Sequence, residues 1–215
     1  MGRSSLTVVA VALLLVRPAG AGGVQPPRFA ASSSPVTTAE LPYSYRPGCP
    51  VAPSSLRLVH LTYWGFDGRA HRGALVVNGA VVASVERAFG TLYAKRFPIR
   101  RMEPIDAFKG SDDRSMAADN TSAFNCRYAV TTGPKSWSAH AYGEAVDVDP
   151  LENPYLLGSK VFPPAGRRYV DRAKIRPGMA FPGGTLDEAF AAVGWQWGGR
   201  WTGSPDYQHF SSTGG

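Results

Sequence analysis

The chain predicts an α+β domain. Three observations carry that reading: β-branched and aromatic runs occur in pairs around turn signals, two segments show helical spacing, and no βαβ rhythm or internal repeat is present. With 215 residues, 44% hydrophobic and 18% charged, the chain has enough apolar material for one ordinary core.

The elements follow in order. Residues 1–21 combine Arg3, the apolar run Leu6–Val16 and the small-residue triplet Ala19-Gly20-Ala21. That order is the pattern of a secretory signal, and the run is too short for a comfortable bilayer span, so no stable membrane anchor is expected. Residues 22–47 are rich in Pro, Ser and Ala with little apolar periodicity, which predicts a flexible linker. The folded domain is then expected over 48–215. "LRLVHLTYWGF" and "ALVVN", separated by Asp67-Gly68, read as paired strands. In "AVVASVERAFGTLYAKRF", Val82, Val85, Phe89, Leu92 and Tyr93 fall on one helical face, and Pro98 stops the pattern.

A short strand "IRRM", a loop over 109–125 and another strand around Cys126–Val130 follow. "EAVDVD" alternates, which predicts a strand with Val146 and Val148 on the covered face and Ala145, Asp147 and Asp149 on the other. Pro and Gly mark 153–184 as irregular. "TLDEAFAAVGW" predicts a short helix capped by Thr185, with Asp187 and Glu188 in its first turn.

Export would remove Arg3 and Arg17 and lower the net charge from +7 to +5, still a surface drawn to polyanions. No basic stripe with interleaved aromatics argues for nucleic acid. Cys49 and Cys126 both lie in the exported part, where a Cys49–Cys126 disulfide is expected. Two cysteines so far apart lack the spacing of a cysteine metal site, so a metal would need histidine and carboxylate.

The stretch "SWSAHAYGEAVDVDP" offers both. If Gly143 turns the chain and Asp147 sits on the strand that follows, His140 folds back toward the Asp147 carboxylate, and both are ordinary zinc ligands. A third ligand must come from elsewhere. His60 and His71 fall in the predicted hairpin and read as structural, whereas His209 stands in "DYQHF" near a second carboxylate, Asp206. Two His and one Asp leave a fourth position for water, the arrangement of a catalytic site, and Asp206 is then placed to act as general base. Each residue alone is more often structural. Ser138, His140, Gly143, Ala145 and Asp147 together form S-x-H-x-x-G-x-A-x-D, a far rarer combination.

With D-x-x-H at 206–209, this pattern resembles the zinc D-alanyl-D-alanine carboxypeptidases and L-alanyl-D-glutamate peptidases of bacterial cell walls, the VanY-like family. "DPLENPY" and "GWQWGGRW" add to the resemblance, which covers roughly Pro98–Phe210. It implies one zinc ion per chain held by His140, Asp147 and His209, with Asp206 as catalytic base. It implies the small antiparallel-sheet fold shared with hedgehog-type zinc domains. It also implies a peptidase acting on peptidoglycan stem peptides, as a carboxypeptidase or an endopeptidase, with a non-catalytic zinc-containing wall-binding or signalling module of the same fold as the alternative. The signal pattern adds a secreted, wall-associated location, the basic charge adds anionic wall polymers as further partners, and a monomer is expected. The family places an arginine upstream of the first ligand. Arg114 in "DDRSM" matches best, although Asp113 replaces the usual aromatic, and Arg127 in "NCRY" competes. Ser138 fits a supporting role beside the ligands rather than a nucleophile, because no histidine is left to activate it. Trp195, Trp197 and Trp201 are candidates for a wall of the cleft, with core packing expected for at least one, and Trp197 is the candidate for substrate contact. Asp149 either orients a ligand or faces water.

Overall fold

A computed structural model describes residues 1–2, 27–131 and 133–214; the expected signal lies outside them apart from its first two residues. Among these residues no helix is long and apolar enough to cross a membrane.

The fold is mixed α and β, with small sheets that are antiparallel except for one two-residue pair. Strands β1 (Ala31–Pro35), β2 (Leu56–Trp64) and β3 (Ala70–Asn78) form one antiparallel sheet in that order. The β2–β3 hairpin is paired from Leu56↔Asn78 to Trp64↔Ala70, and Asp67-Gly68 lies in its turn. Its inner side chains, Val59, Leu61, Leu75 and Val77, are fully buried. Helix α1 (Val82–Ala94) covers them with Val85, Ala88, Phe89 and Leu92, the face marked by its spacing. It ends in a Schellman-type cap: Arg96 N–H donates to Tyr93 O and Phe97 N–H to Leu92 O, with Arg96 at φ 53°.

The segment expected to be a flexible linker is instead built into the fold from residue 27 onward. β1 pairs with β2 from Ala31↔Leu61 to Pro35↔Arg57, Val36 and Leu41 are buried, and the Asp106 carboxylate accepts the Tyr43 and Ser44 N–H groups. All five β1 side chains are exposed, so only the backbone bonds the strand and no apolar alternation announces it. A polar edge strand ending in proline also discourages edge pairing. The Cys49–Cys126 disulfide is present, with Cα atoms 5.8 Å apart, and fastens this arm to the loop leading to the site.

Strands β4 (Arg101–Met102) and β5 (Asn120–Thr121) pair in parallel and flank helix α2 (Asp112–Ala117), which falls inside the expected loop and is capped by Ser111. No strand forms over 126–130; one bridge, Tyr128↔Trp137, and a stacked ring pair at 4.2 Å hold that loop. Strand β6 (Ala145–Asp147) is covered on both faces, unlike the one-sided strand expected, because Asp147 faces other protein groups rather than water. Within 153–184, a hairpin of β7 (Tyr155–Leu157) and β8 (Lys160–Phe162) and a 3-10 turn at Pro164–Tyr169 replace the irregular chain expected. Strands of three residues are too short to show a period. Helix α3 (Thr185–Ala191) is capped by Gly184, one residue earlier than read.

The last sheet has the order β6–β10–β9, with β9 at Gln196–Trp197 and β10 at His209–Ser211. Phe210 stacks on Phe190 of α3 at 4.4 Å, and Phe190 meets Phe89 of α1 edge-on, so this sheet shares one core with the β2–β3 hairpin.

Candidate active site

Three short devices bring the candidate ligands together. Ser138 caps a 3-10 turn, Ala139–Tyr142, by accepting the His140 N–H at 3.3 Å. Gly143 ends the turn at φ 70°, where a Cβ would stand 2.6 Å from the backbone nitrogen of Asn78, so only glycine fits both the dihedral and the space. The chain then reverses into β6. Antiparallel pairing sets His209 opposite Asp147, with Phe210 opposite Val146 beneath them in the core. Register therefore spans the 62 residues between these two ligands, and side chains directly opposite on antiparallel strands share one face.

The resulting group is tight and dry. His140 Nε2 lies 3.2 Å from Asp147 Oδ2 and 3.2 Å from His209 Nδ1, which is 3.3 Å from Asp147 Oδ1. The three residues are 2%, 9% and 5% exposed. Their ligand atoms form a set that can hold a metal ion. Four ligands at zinc–nitrogen distances of about 2.0–2.1 Å sit about 3.3 Å from one another around a tetrahedron, which is the spacing seen here. His140 Nδ1 meets Ala123 O at 2.6 Å. With the proton on that nitrogen, the Nε2 lone pair is free to face the centre. Burial alone would raise the Asp147 pKa, but the two imidazoles outweigh it and hold the carboxylate ionised, well below the usual range.

These residues open into a cleft of about 410 Å³ whose lining includes Asp206, Arg127, Trp137, Tyr155, Trp201 and Gln208. Asp206 is half-buried as a residue, but its Oδ1 is buried and without a hydrogen-bond partner among the described residues, and its pKa is pushed up to about 7 by burial first and then by the Asp147 carboxylate. His209, Gln208 and Arg127 act in the opposite sense without prevailing.

The remaining sequence candidates divide. Arg114 is exposed on α2 and does not line the cleft. Arg127 does, paired with Asp112 in the first turn of α2, which Asn125 Nδ2 holds at 2.8 Å. Trp197 belongs to the core: its ring stacks near Phe210 and its Nε1 donates to Tyr207 O. Trp201 takes the expected wall position, its ring 5.1 Å from that of His209. Ser138 lines the cleft while capping the histidine turn. Asp149 turns away from the centre to accept the Arg100 N–H at 2.8 Å. His60 stands in β2 and His71 in β3, outside the cleft. Sequence reasoning missed Trp137, Tyr155 and Gln208; the last is next to His209, and that adjacency to a ligand was its one available signal.

No curated protein and no solved structure matches the chain. Residues 132–212 match the model of the D-alanyl-D-alanine carboxypeptidase family. That span holds all three members of the histidine–aspartate group together with Asp206, so the family resemblance carried by S-x-H-x-x-G-x-A-x-D and D-x-x-H is borne out over the segment that builds the site, and the activity it implies is that of a peptidase.

Proposed function

We propose that the protein is an exported zinc peptidase that hydrolyses a peptide bond in peptidoglycan stem peptides. The observation that carries this is the convergence of His140, Asp147 and His209 at tetrahedral spacing in the lining of a cleft that also holds the half-buried carboxyl group of Asp206. Bound to the three, zinc would supply a Lewis acid and bring the acidity of water close to neutral pH.

The chain's own residues account for the rest. Asp206, with a pKa near 7, is matched to accepting a proton from water at neutral pH and returning it to the departing amine. Arg127 presents a guanidinium whose position Asp112 sets, and this group is suited to a substrate carboxylate or to the oxyanion formed at the scissile carbonyl. Trp137 and Trp201 provide apolar wall that keeps bulk water out around the reacting atoms. Arg127, rather than Arg114, is the arginine this reading uses. Stem peptides carry a carboxylate both at a terminal D-alanine and on D-glutamate, so Arg127 is compatible with either cut.

The test joins metal and turnover. The purified protein should contain one zinc per chain and release D-alanine or stem fragments in a chelator-sensitive manner. Pentapeptides with free and amidated C-termini separate exopeptidase from endopeptidase. Asp206→Ala should keep the metal and lose turnover by about 100-fold or more, while His209→Ala should lose both. Wild-type activity in Asp206→Ala would remove the base assignment.

A further inference from the structure

The end of α1 carries an arginine where the backbone favours glycine. Arg96 occupies the left-handed position of the Schellman cap at φ 53°, which glycine reaches without steric cost and arginine does not. The helix dipole does not require it, because Lys95 already places a cation at this end. The Arg96 guanidinium lies over the Trp64 ring, 4.6 Å from its centroid.

Arg96 borders a concavity of about 430 Å³ that shares no lining residue with the peptidase cleft. Lys95 and Arg176 line it as well, and no acidic residue does. Arg176 stacks over Tyr169 at 5.2 Å, and exposed Arg168 lies over the same ring at 4.9 Å. Among the described residues none of these four cations forms an ion pair; the nearby carboxylate of Asp171 is bound to Lys174 at 2.9 Å. Aromatic faces restrict three of the four guanidinium and ammonium groups, and the planar forks keep their N–H edges free. Such forks fit phosphate oxygens two at a time.

We infer that this concavity binds a phosphodiester-linked polyol polymer, through Lys95, Arg96 and Arg176 with Arg168 at its margin. Several fixed cations facing one hollow suit a chain of regularly repeated negative charges. Arginines cover the neighbouring rings of Trp64 and Tyr169, and of the two rings in the lining Phe97 is buried, which leaves Phe181 as a single partly exposed ring; stacking of successive bases needs more than one, and this favours a polyol backbone over a nucleic acid. The inference does not rest on the peptidase reading.

The experiment titrates the purified protein with short poly(glycerol phosphate) at two salt concentrations, beside a DNA oligonucleotide of equal charge. Affinity for the polyol polymer should fall steeply with salt. Arg96→Gly and Arg176→Ala should each weaken it about tenfold, the loss of one charged hydrogen-bonded contact. Arg96→Gly should at the same time hold or raise the thermal midpoint, since glycine suits the backbone better. Wild-type affinity in both variants, or no affinity in the parent protein, would overturn the inference. So would a lowered midpoint with unchanged affinity, which would make Arg96 a packing residue, and tighter binding of the oligonucleotide would replace the polymer with nucleic acid.

Discussion

Asp147 and Asp149 are two residues apart, of the same type and both buried, yet the fold moves their pKa values in opposite directions. Asp147 ends β6 facing two imidazoles and stays ionised. Asp149, at φ 43°, leaves the strand and turns its carboxyl toward Asp119 and Glu152, which are 3% and 0% exposed. There burial raises its pKa well above the carboxylate range, and the charge of Asp119 adds to the rise. Against the three acids stands one half-exposed cation, Arg100, 3.4 Å from Asp119 and 3.7 Å from Glu152. Tyr169 O–H donates to Glu152 at 2.9 Å, and the Leu151 N–H donates to Asp119 at 2.8 Å. Burial therefore does not decide which side chain can serve a cation; the neighbours do. Two imidazoles leave Asp147 an anion with lone pairs to share, whereas burial and a neighbouring acid raise the pKa of Asp149.

Exchange of each aspartate for its neutral isostere breaks the comparison most sharply. Asp147→Asn removes the carboxylate between the two histidines and, on the proposed function, should lower zinc affinity and turnover by more than the 10- to 100-fold typical of outer partners of a metal ligand. Asp149→Asn should leave metal content and turnover near those of the parent. Asparagine accepts the Arg100 N–H equally well and tolerates the left-handed backbone. Metal analysis and initial rates on both variants check this; equal losses would mean that the two carboxyls form one functional unit.

Much of the histidine–aspartate group was legible in the sequence, and almost none of the acid cluster. His140, Gly143, Asp147 and His209 stand in motifs whose spacing states a geometry, and the strand pairing then does what the spacing requires. The β2–β3 hairpin and α1 were legible for the same reason, since each repeats its period over nine or more residues. Asp119, Asp149 and Glu152 come together because Asp149 turns left-handed and Asp119, immediately before β5, accepts the Leu151 N–H, and neither event leaves a periodic trace. The choice of Arg127 over Arg114 also depends on tertiary placement. Asn125 holds Asp112, and Asp112 turns Arg127 into the cleft, while Arg114 two residues along α2 points to solvent. The edge strand β1 escaped because its bonds are all in the backbone.

A smaller effect separates the two regions by pH. The Asp119 pKa is pushed up to about 7 by burial first and then by hydrogen bonding to and repulsion from Glu152, against about 3.9 in an unfolded chain. The folded state thus binds more protons than the unfolded state between those values. The stability this group contributes is fully present below about pH 4 and is lost as pH rises through about 7. Asp119→Asn imitates the protonated acid, so it should flatten the fall in unfolding free energy between pH 5 and 8, by on the order of a few kcal/mol. A slope identical to the parent's would place the titration elsewhere.

The mildest change concerns the turn that carries His140. Ser138 Oγ accepts the His140 N–H at 3.3 Å and caps the 3-10 turn, while Gly143 closes its other end. Ser138→Ala leaves that N–H without its partner beside a ligand whose Nδ1 is already committed to Ala123 O. Loss of such a cap costs about 1 kcal/mol. Because the turn positions the imidazole, part of the cost should appear as weaker zinc binding, a few-fold by competition with a chelator. The pH slope assigned to Asp119 should not change, since that cluster reaches the chain through Arg100, Leu151 and Tyr169 rather than through the histidine turn. A Ser138→Ala protein that lost stability but bound zinc as the parent does would show that the cap serves the fold alone, and that the β6–β10 register suffices to hold the ligands in place.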